Sequence, residues 1–446
     1  MKNGMLKKIV SVIAITGLIA GSLAGCGSGG SDSSEGTTLE LWSWSPIQRT
    51  ADKMIAAFEA ENPDITVNFS MYNYNPEYLE AIQAATSAGN LPDIMALHPG
   101  SDCQNYKDYL LDLGEYAAAE WGDDWYTNYD NVTQSQLQLG NAEGDNAYRI
   151  IPIETQDIYI EYNKTLFESL DIKAPTTYDE LVAAAQTLRD NDLAPLFFGG
   201  ADGWQHVNLL IMCTSQIDKE LFDACQNGEK DWTCDEMIQA LNNYKKLFDD
   251  GVIQDNCLSS TSYSDGTTLF LAGKVGMMAL GSWWPQEFTS EDDVTEAVAN
   301  WDYDYFYLPA ISDGAEASAP IGGIDFGYGI TNTCENPDAA WKAVASFAQG
   351  AGAQEIANDM NNHLSWPGIV PDASAMSETV SGRAGVDNAV DEFTRSGKDI
   401  EGGLVNQRIA EPTIETAIQE AMQGLVSGEY TVEQAAQHIQ DAYDAL

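Results

Sequence analysis

Apolar and polar positions along the chain switch between two periods from residue 39 onward. Leu39 and Leu41 alternate with polar neighbours up to Trp44, the pattern of a strand. Ile47, Ala51, Ile55 and Phe58 then recur at helical spacing, and Asn62-Pro63 marks the end of that helix. Ile65, Val67, Phe69 and Met71 alternate again, Tyr78 to Ala88 returns to the helical period, and Asp93 to Leu97 is a short apolar strand. This β-α-β-α-β order predicts an α/β fold with a mostly parallel sheet, right-handed crossovers and helices on both faces.

The second half of the chain repeats the pattern with clearer punctuation. Thr177 with Glu180, and Thr233 with Glu236, have capping-box spacing and predict helices over Tyr178 to Arg189 and Cys234 to Phe248. Asn336-Pro337 places a capping side chain and an N1 proline before Asp338 to Ala348, and Thr431 with Gln434 opens a final helix through Ala435, Ile439 and Tyr443. Between them lie strand candidates at Tyr148 to Ile153, Ile158 to Tyr162, Leu196 to Phe198, Val275 to Leu280 and Trp301 to Leu308. No internal repeat interrupts this order.

The first residues follow neither period. Lys2, Lys7 and Lys8 precede an apolar run from Ile9 to about Gly21, and Leu23-Ala24-Gly25-Cys26 closes it. A charged start, a short apolar run and small residues before a cut site make an export signal, here residues 1–25. The run falls well short of the roughly 20 residues that cross a bilayer as a helix. Leu-Ala-Gly-Cys resembles the bacterial lipobox, which implies cleavage before Cys26 and lipidation of that cysteine. Residues 26–38 would then be a flexible Gly/Ser tether, and the folded body would sit at the outer face of the cytoplasmic membrane, touching it through the lipid anchor only.

A chain of 446 residues is long for one compact core and suits two lobes. With 69 acidic against 20 basic residues the formal charge is −49, and loss of the signal makes it more negative still. Such a surface repels phosphate backbones, which argues against nucleic acid as a partner. The six cysteines after Cys26 form no CxxC pair, so buried free thiols are expected, with Cys225 and Cys234 the best local bridge candidate.

No nucleophile elbow, HExxH, phosphate loop, dinucleotide fingerprint or EF-hand loop is present, and the histidines at 98, 206, 363 and 438 are scattered. The expectation is therefore no catalysis, no cofactor and no metal. A pair of glycosidase carboxylates is the one chemistry that the abundant acids leave open. Aromatic residues are better placed. In open α/β sheets ligands bind beyond the carboxyl ends of strands. Trp44 ends the first strand, Tyr72 and Tyr74 follow the second, and His98 follows the third. A sugar ring lies on an aromatic face while its hydroxyls need fixed polar partners, so mixed aromatic and polar positions fit a carbohydrate. Trp42, Trp341 and the alternating Trp301, Tyr303, Tyr305 and Tyr307 read as core. Trp44, Trp283 and Trp284 stand beside turn residues, where crevice and core are equally open.

Residues 151–188, with Tyr-Asn-Lys, Leu-Phe and Pro-Thr-Thr-Tyr-Asp-Glu-Leu, resemble the extracellular solute-binding proteins of ABC importers, in particular the carbohydrate-binding family that includes the maltose-binding protein. LPDI at 91–94, FLAGKVGMMALGSWW at 270–284 and NPDAAWKAVASFA at 336–348 agree in order. The resemblance implies a two-lobe periplasmic-binding-protein fold with ligand in the cleft between lobes. Lobe one would comprise 39–154 plus 324–376, and lobe two 157–320 plus 380–446. It implies a hinge at Glu154 to Asp157, a polar contact from Gln156 with Asp157 at the cleft edge, stacking on Trp283, contact from Trp44, and hydrogen bonding from Asp325 in the return crossing Gly322 to Asp325. His98, Trp204, Trp366 and Arg408 fall in segments that vary among relatives and are further cleft candidates. The implied partners are a carbohydrate ligand and the ABC permease subunits, met as a monomer that closes by hinge motion. A non-sugar solute such as a polyamine, phosphodiester or amino-acid derivative is the alternative on the same fold, and a glycan-degrading enzyme or adhesin is a further one.

Overall fold

The computed structural model describes residues 36–142, 144–288, 301–372 and 386–446. The expected export signal, Cys26 and nearly all of the tether lie outside the described residues, as do parts of the expected lobe boundaries near 376 and 380.

The early alternation folds as its period dictates. Strand β1 (Thr37–Ser43) buries Leu39, Leu41 and Ser43 and exposes Glu40. The helix Gln48–Glu61 turns Ala51, Met54, Ile55 and Phe58 inward, and β2 (Ile65–Met71) and β3 (Ile94–Leu97) follow. β2 and β3 both pair with β1 in parallel. These elements share one apolar core with Ile151, Ile153, Phe326, Tyr328, Trp341 and Phe347. A second core gathers Ile158, Ile160, Leu181, Leu210, Tyr244, Ile321, Ile418 and Ile439.

Among the described residues two strands join the cores. The expected strands Tyr148 to Ile153 and Ile158 to Tyr162 are one element, β4 (Ile151–Asn163), buried along its whole length. The intervening Glu154, Thr155, Gln156 and Asp157 look like a loop in the sequence. Here they stay in the strand because protein groups satisfy them: Ser45 Oγ and Asn361 Nδ2 donate to the Glu154 carboxylate at 3.0 and 2.9 Å, Thr155 meets Ser365 at 2.8 Å, and the Tyr307 hydroxyl donates to Asp157 at 2.6 Å. The second crossing is β8 (Ile321–Ile330), antiparallel to β4 from Ile151↔Tyr328 to Ile158↔Ile321.

With β5 (Ala194–Phe197), β6 (Val275–Gly281), β7 (Tyr303–Phe306), β9 (His363–Leu364) and β10 (Val405–Asn406), the described strands form a sheet ordered β2-β1-β3-β8-β4-β6-β5, with β10 on β8 and β7 and β9 on β4. β5–β6 and β10–β8 are parallel, whereas β8 is antiparallel to β3 and β4 is antiparallel to every strand it touches. The sheet is thus mixed and not mostly parallel, because β4 and β8 run between the cores in opposite directions.

The crossing is built backbone against backbone. A Cβ on Gly322 would stand 1.9 Å from the Gln156 carbonyl oxygen, and Gly323 adopts φ +124° with the Gln136 amide 2.2 Å from where its Cβ would be. Only glycine fits at either position.

Capping boxes form at Thr177 and Thr431 as expected. Thr233 does not cap its helix, which starts a residue later as Asp235–Asp249 behind Cys234, and Asn336 precedes its N1 proline without a side-chain cap bond. All six described cysteines are free, Cys225 and Cys234 included.

Candidate functional site

The carboxyl ends of β1, β2 and β3 bring four rings together beside β8. The Trp44 ring lies 4.7 Å from Tyr74, 4.6 Å from His98, 5.1 Å from Tyr78 and 5.6 Å from Phe326. His98 Nδ1 donates to the Asp325 carbonyl oxygen, which fixes the tautomer and leaves Nε2 as an acceptor. Burial and the neighbouring Arg408 charge hold this imidazole neutral, well below its usual pKa. Tyr74 donates its hydroxyl to Asp102 at 3.0 Å.

From the other core comes Arg408, just after β10. Its Nε donates to the Ile324 carbonyl at 2.9 Å and its Nη2 to the Asp325 carbonyl at 2.8 Å, with the Asp325 carboxylate 3.4 Å away. Burial outweighs that cation and pushes the Asp325 carboxyl up to about 6. Asp102 also rises to about 6, through burial first and the nearby Glu415 second. Glu415, in the first turn of the helix Pro412–Ser427, accepts from Ser101 Oγ and is itself raised by burial. The Gln156 amide completes the group, its nitrogen toward Asp325 at 3.2 Å and its oxygen toward Arg408 at 3.1 Å and Gln407.

The backbone makes this approach close. Ser101 N donates to the Ile409 carbonyl at 2.9 Å, and a Cβ on Gly100 would lie 2.2 Å from that oxygen. Tyr74, His98, Ser101, Trp204, Arg408 and Glu415 line one small cavity between the two sets of elements. A larger cavity, ≈380 Å³, lies elsewhere, beside Thr37, Asp64 and Lys342, and holds none of these groups.

The second aromatic set is more open. Trp204, in the first turn of the helix Gly203–Ser215, lies 6.4 Å from Trp283 and 6.4 Å from the half-exposed Tyr263. Asp202 accepts from Ser262 N at 2.6 Å and so ties the Tyr263 segment to this helix.

The structure thus brings together Trp44, Tyr74, His98, Gln156, Asp325 and Arg408; Trp204 lines the same small cavity, and Trp283 stands beside Trp204, packed against the second core. It turns four expected residues elsewhere. Asp157 follows Gln156 in a strand, so its side chain takes the opposite face and meets Tyr307. Trp284 is 1% exposed and packs on Phe270 and Tyr303 at 5.3 and 5.7 Å. Trp366 packs on Trp121 and Tyr129 within the first core, and Tyr72 lies against Trp42 and Tyr78. Ser101, Asp102, Gln407 and Glu415 join the cluster without a sequence signal beyond their nearness to His98, Arg408 or a helix start.

Several comparisons bear on this arrangement. The chitin oligosaccharide binding protein aligns with 92% of this chain and 99% of its own at a TM-score of 0.71 and 22% identity. The maltose/maltodextrin-binding domain of Bdellovibrio bacteriovorus, bound to maltotriose, aligns over 92% and 99% at 0.66 and 17% identity. These likenesses establish the two-lobe binding-protein fold. In sequence, the multiple sugar-binding protein of Streptococcus mutans is 27% identical over 293 residues, 62% of this chain and 65% of that relative's length. The xylose/arabinose-binding protein of Haloferax volcanii is 24% identical over 286 residues, 63% of this chain and 60% of the other. Residues 43–355 match the family described as bacterial extracellular solute-binding protein, from the end of β1 through both crossings, and the chain belongs to that family.

Proposed function

We propose that this protein captures a sugar or oligosaccharide outside the cytoplasmic membrane and delivers it to an ABC permease, held at the membrane by a lipid on Cys26. The observation that carries the reading is the convergence of aromatic rings from both cores on one buried polar cluster: Trp44, Tyr74 and His98 from one side and Trp204, with Trp283 beside it, from the other, around Gln156, Asp325 and Arg408. Rings offer stacking faces, and the carboxylate, amide and guanidinium offer both acceptors and donors to hydroxyls. The names of the relatives support the same ligand class. Residues 39–154 with 324–376 would form one lobe, and 157–320 with 380–446 the other. Ligand touching both would favour the closed arrangement, a shift that needs no covalent step.

The decisive experiment is calorimetric titration with a panel of neutral mono- and oligosaccharides, alongside polyamines and amino-acid derivatives. Micromolar or tighter binding of a sugar without release of new reducing ends is the expected outcome. Binding of a polyamine with silence across the sugars would overturn the reading. That second class has one observation in its favour: Asp102, Asp325 and Glu415 outnumber Arg408 in the cluster, a balance that suits a cation. For the anchor, Cys26→Ser should leave the protein unprocessed or shed into the medium, and acylated Cys26→Ser protein recovered from membranes in wild-type amounts would exclude lipidation at that residue.

A further inference from the structure

Away from the cleft, the helix Val386–Gly402 lies across β4 and β7. Its apolar hold is slight: among described side chains Phe393 packs with Met360 and Val390 and stacks on His363 at 4.0 Å. The rest of the contact is polar, and two pairs of carboxyls lie within it. Glu161 of β4 and Glu392 of the helix are buried and face each other. Tyr159 donates its one hydroxyl proton to Glu392 Oε1 at 2.7 Å, and neither Glu161 oxygen meets a donor among the described residues. Two turns along the helix, Asp399 and the Asp157 carboxyl of β4 meet the same tyrosine hydroxyl. The Tyr307 hydroxyl sits 2.6 Å from Asp157 and 2.8 Å from Asp399, and Tyr305 reaches Asp399 at 2.8 Å.

Counting hydrogens shows what this seam needs. An ionised carboxylate only accepts, and a tyrosine hydroxyl donates once. Tyr307 cannot donate to both Asp157 and Asp399, and nothing described donates between Glu161 and Glu392. The other charged groups do not supply the missing protons. Arg395 is engaged with Asp304 and Asp391 and lies over the Tyr305 ring, and His363 is kept neutral by burial, with its Nε2 on Ser396. Each pair therefore closes its hydrogen bonds only if one carboxyl holds a proton.

We propose that the helix Val386–Gly402 is a proton-dependent clamp on β4, closed by one proton shared between Glu161 and Glu392 and one held by Asp157, which donates to the Tyr307 hydroxyl and frees that hydroxyl to donate to Asp399, so that rising pH loosens it. Burial raises Glu161 and Asp157 well above the usual carboxylate range and Glu392 to about 7. Because Glu is ionised above about 4.3 in an unfolded chain, the native state holds the extra protons from there upward, and the clamp weakens as pH climbs through the native values. Asp157 directly follows Gln156, so the clamp grips the crossing strand next to the cleft.

Hydrogen exchange of the full mature chain at pH 5.5 and 8.5, corrected for intrinsic rates, tests this. In wild type, protection in 386–402 should fall at least tenfold at the higher pH while the helix Gln48–Glu61 changes little. Glu392→Gln, which keeps a proton on that site permanently, should lose half or more of this pH response, and Glu392→Gln with Asp399→Asn nearly all of it. Unchanged wild-type protection, or an equal response in Glu392→Gln, would overturn the clamp. Should Glu392→Gln fail to fold at both pH values, Asp399→Asn alone decides by the same comparison.

Discussion

The two aromatic walls facing the polar cluster use the same residue types and differ in how they are held. Trp44 is ringed by four aromatic neighbours within 5.6 Å, and its support reaches into the first core through Tyr78 and Phe326. Among the described residues Trp204 has two ring neighbours, both at 6.4 Å, and one of them, Tyr263, is half-exposed. The Trp283 indole N–H is buried and meets no acceptor among the described residues. One wall is a packed platform whose geometry is set by folding. The other has fewer and more distant ring contacts at Trp204.

If that contrast is functional, substitutions should separate it. Trp44→Ala should do the most damage, because it removes packing and ligand contact together: a stability loss of about 2 kcal/mol, less than the 3 to 5 of a fully buried tryptophan, with sugar affinity down more than tenfold. Chemical denaturation and titration on the same preparation check it, and an unchanged denaturation midpoint would erase the difference between the walls. Trp204→Ala and Trp283→Ala should weaken binding by about tenfold through lost stacking area while melting within a degree or two of wild type. A drop of several degrees with normal binding by the folded fraction would make Trp283 a core residue. Gln156→Ala, between the walls, should cost about 1 kcal/mol of affinity, near fivefold, as one neutral hydrogen bond does.

The smallest effect is expected from pH, and it belongs to the packed wall. Asp325 and Asp102 have carboxyls raised to about 6, so at pH 5 both are largely protonated and lose charge-assisted acceptance of ligand hydroxyls. Affinity should fall two- to threefold from pH 7.5 to pH 5, and Asp325→Asn should flatten the profile. Stability moves the other way: the native state keeps these protons up to about 6 while the unfolded chain releases them near 3.9, so acidification across that window stabilises the fold. Affinity rising on acidification would contradict the assignment of Asp325 as an acceptor.

Much of the fold was legible because its periods are clean. β1, β2, β3 and the helices opened by Thr177 and Thr431 follow from alternation and capping spacing. Both crossings were harder. Polarity at Glu154 to Asp157 imitates a loop, and the glycines of Ile321–Ile330 dilute the apolar signal of a strand whose reason for glycine is the approach of another backbone. In the cluster, Trp44 and His98 were readable as residues at strand ends. Trp283 and Trp284 are adjacent, and only packing decides that Trp284 is the one in the core. Asp102 and Glu415 are 313 positions apart, and no local pattern announces that they meet.

The paired crossings also have a mechanical consequence. Two antiparallel strands joined by a ladder form a ribbon. Bending it within its plane stretches every rung, whereas winding it about its long axis changes each rung slightly. At Gly322 and Gly323 the ribbon carries no side chains that could wedge against Gln156 or Gln136 and resist winding. The expected motion between the two halves is therefore torsion about β4 and β8. A pair of spectroscopic reporters should register such motion as a change in orientation more strongly when placed across the ribbon axis than along it.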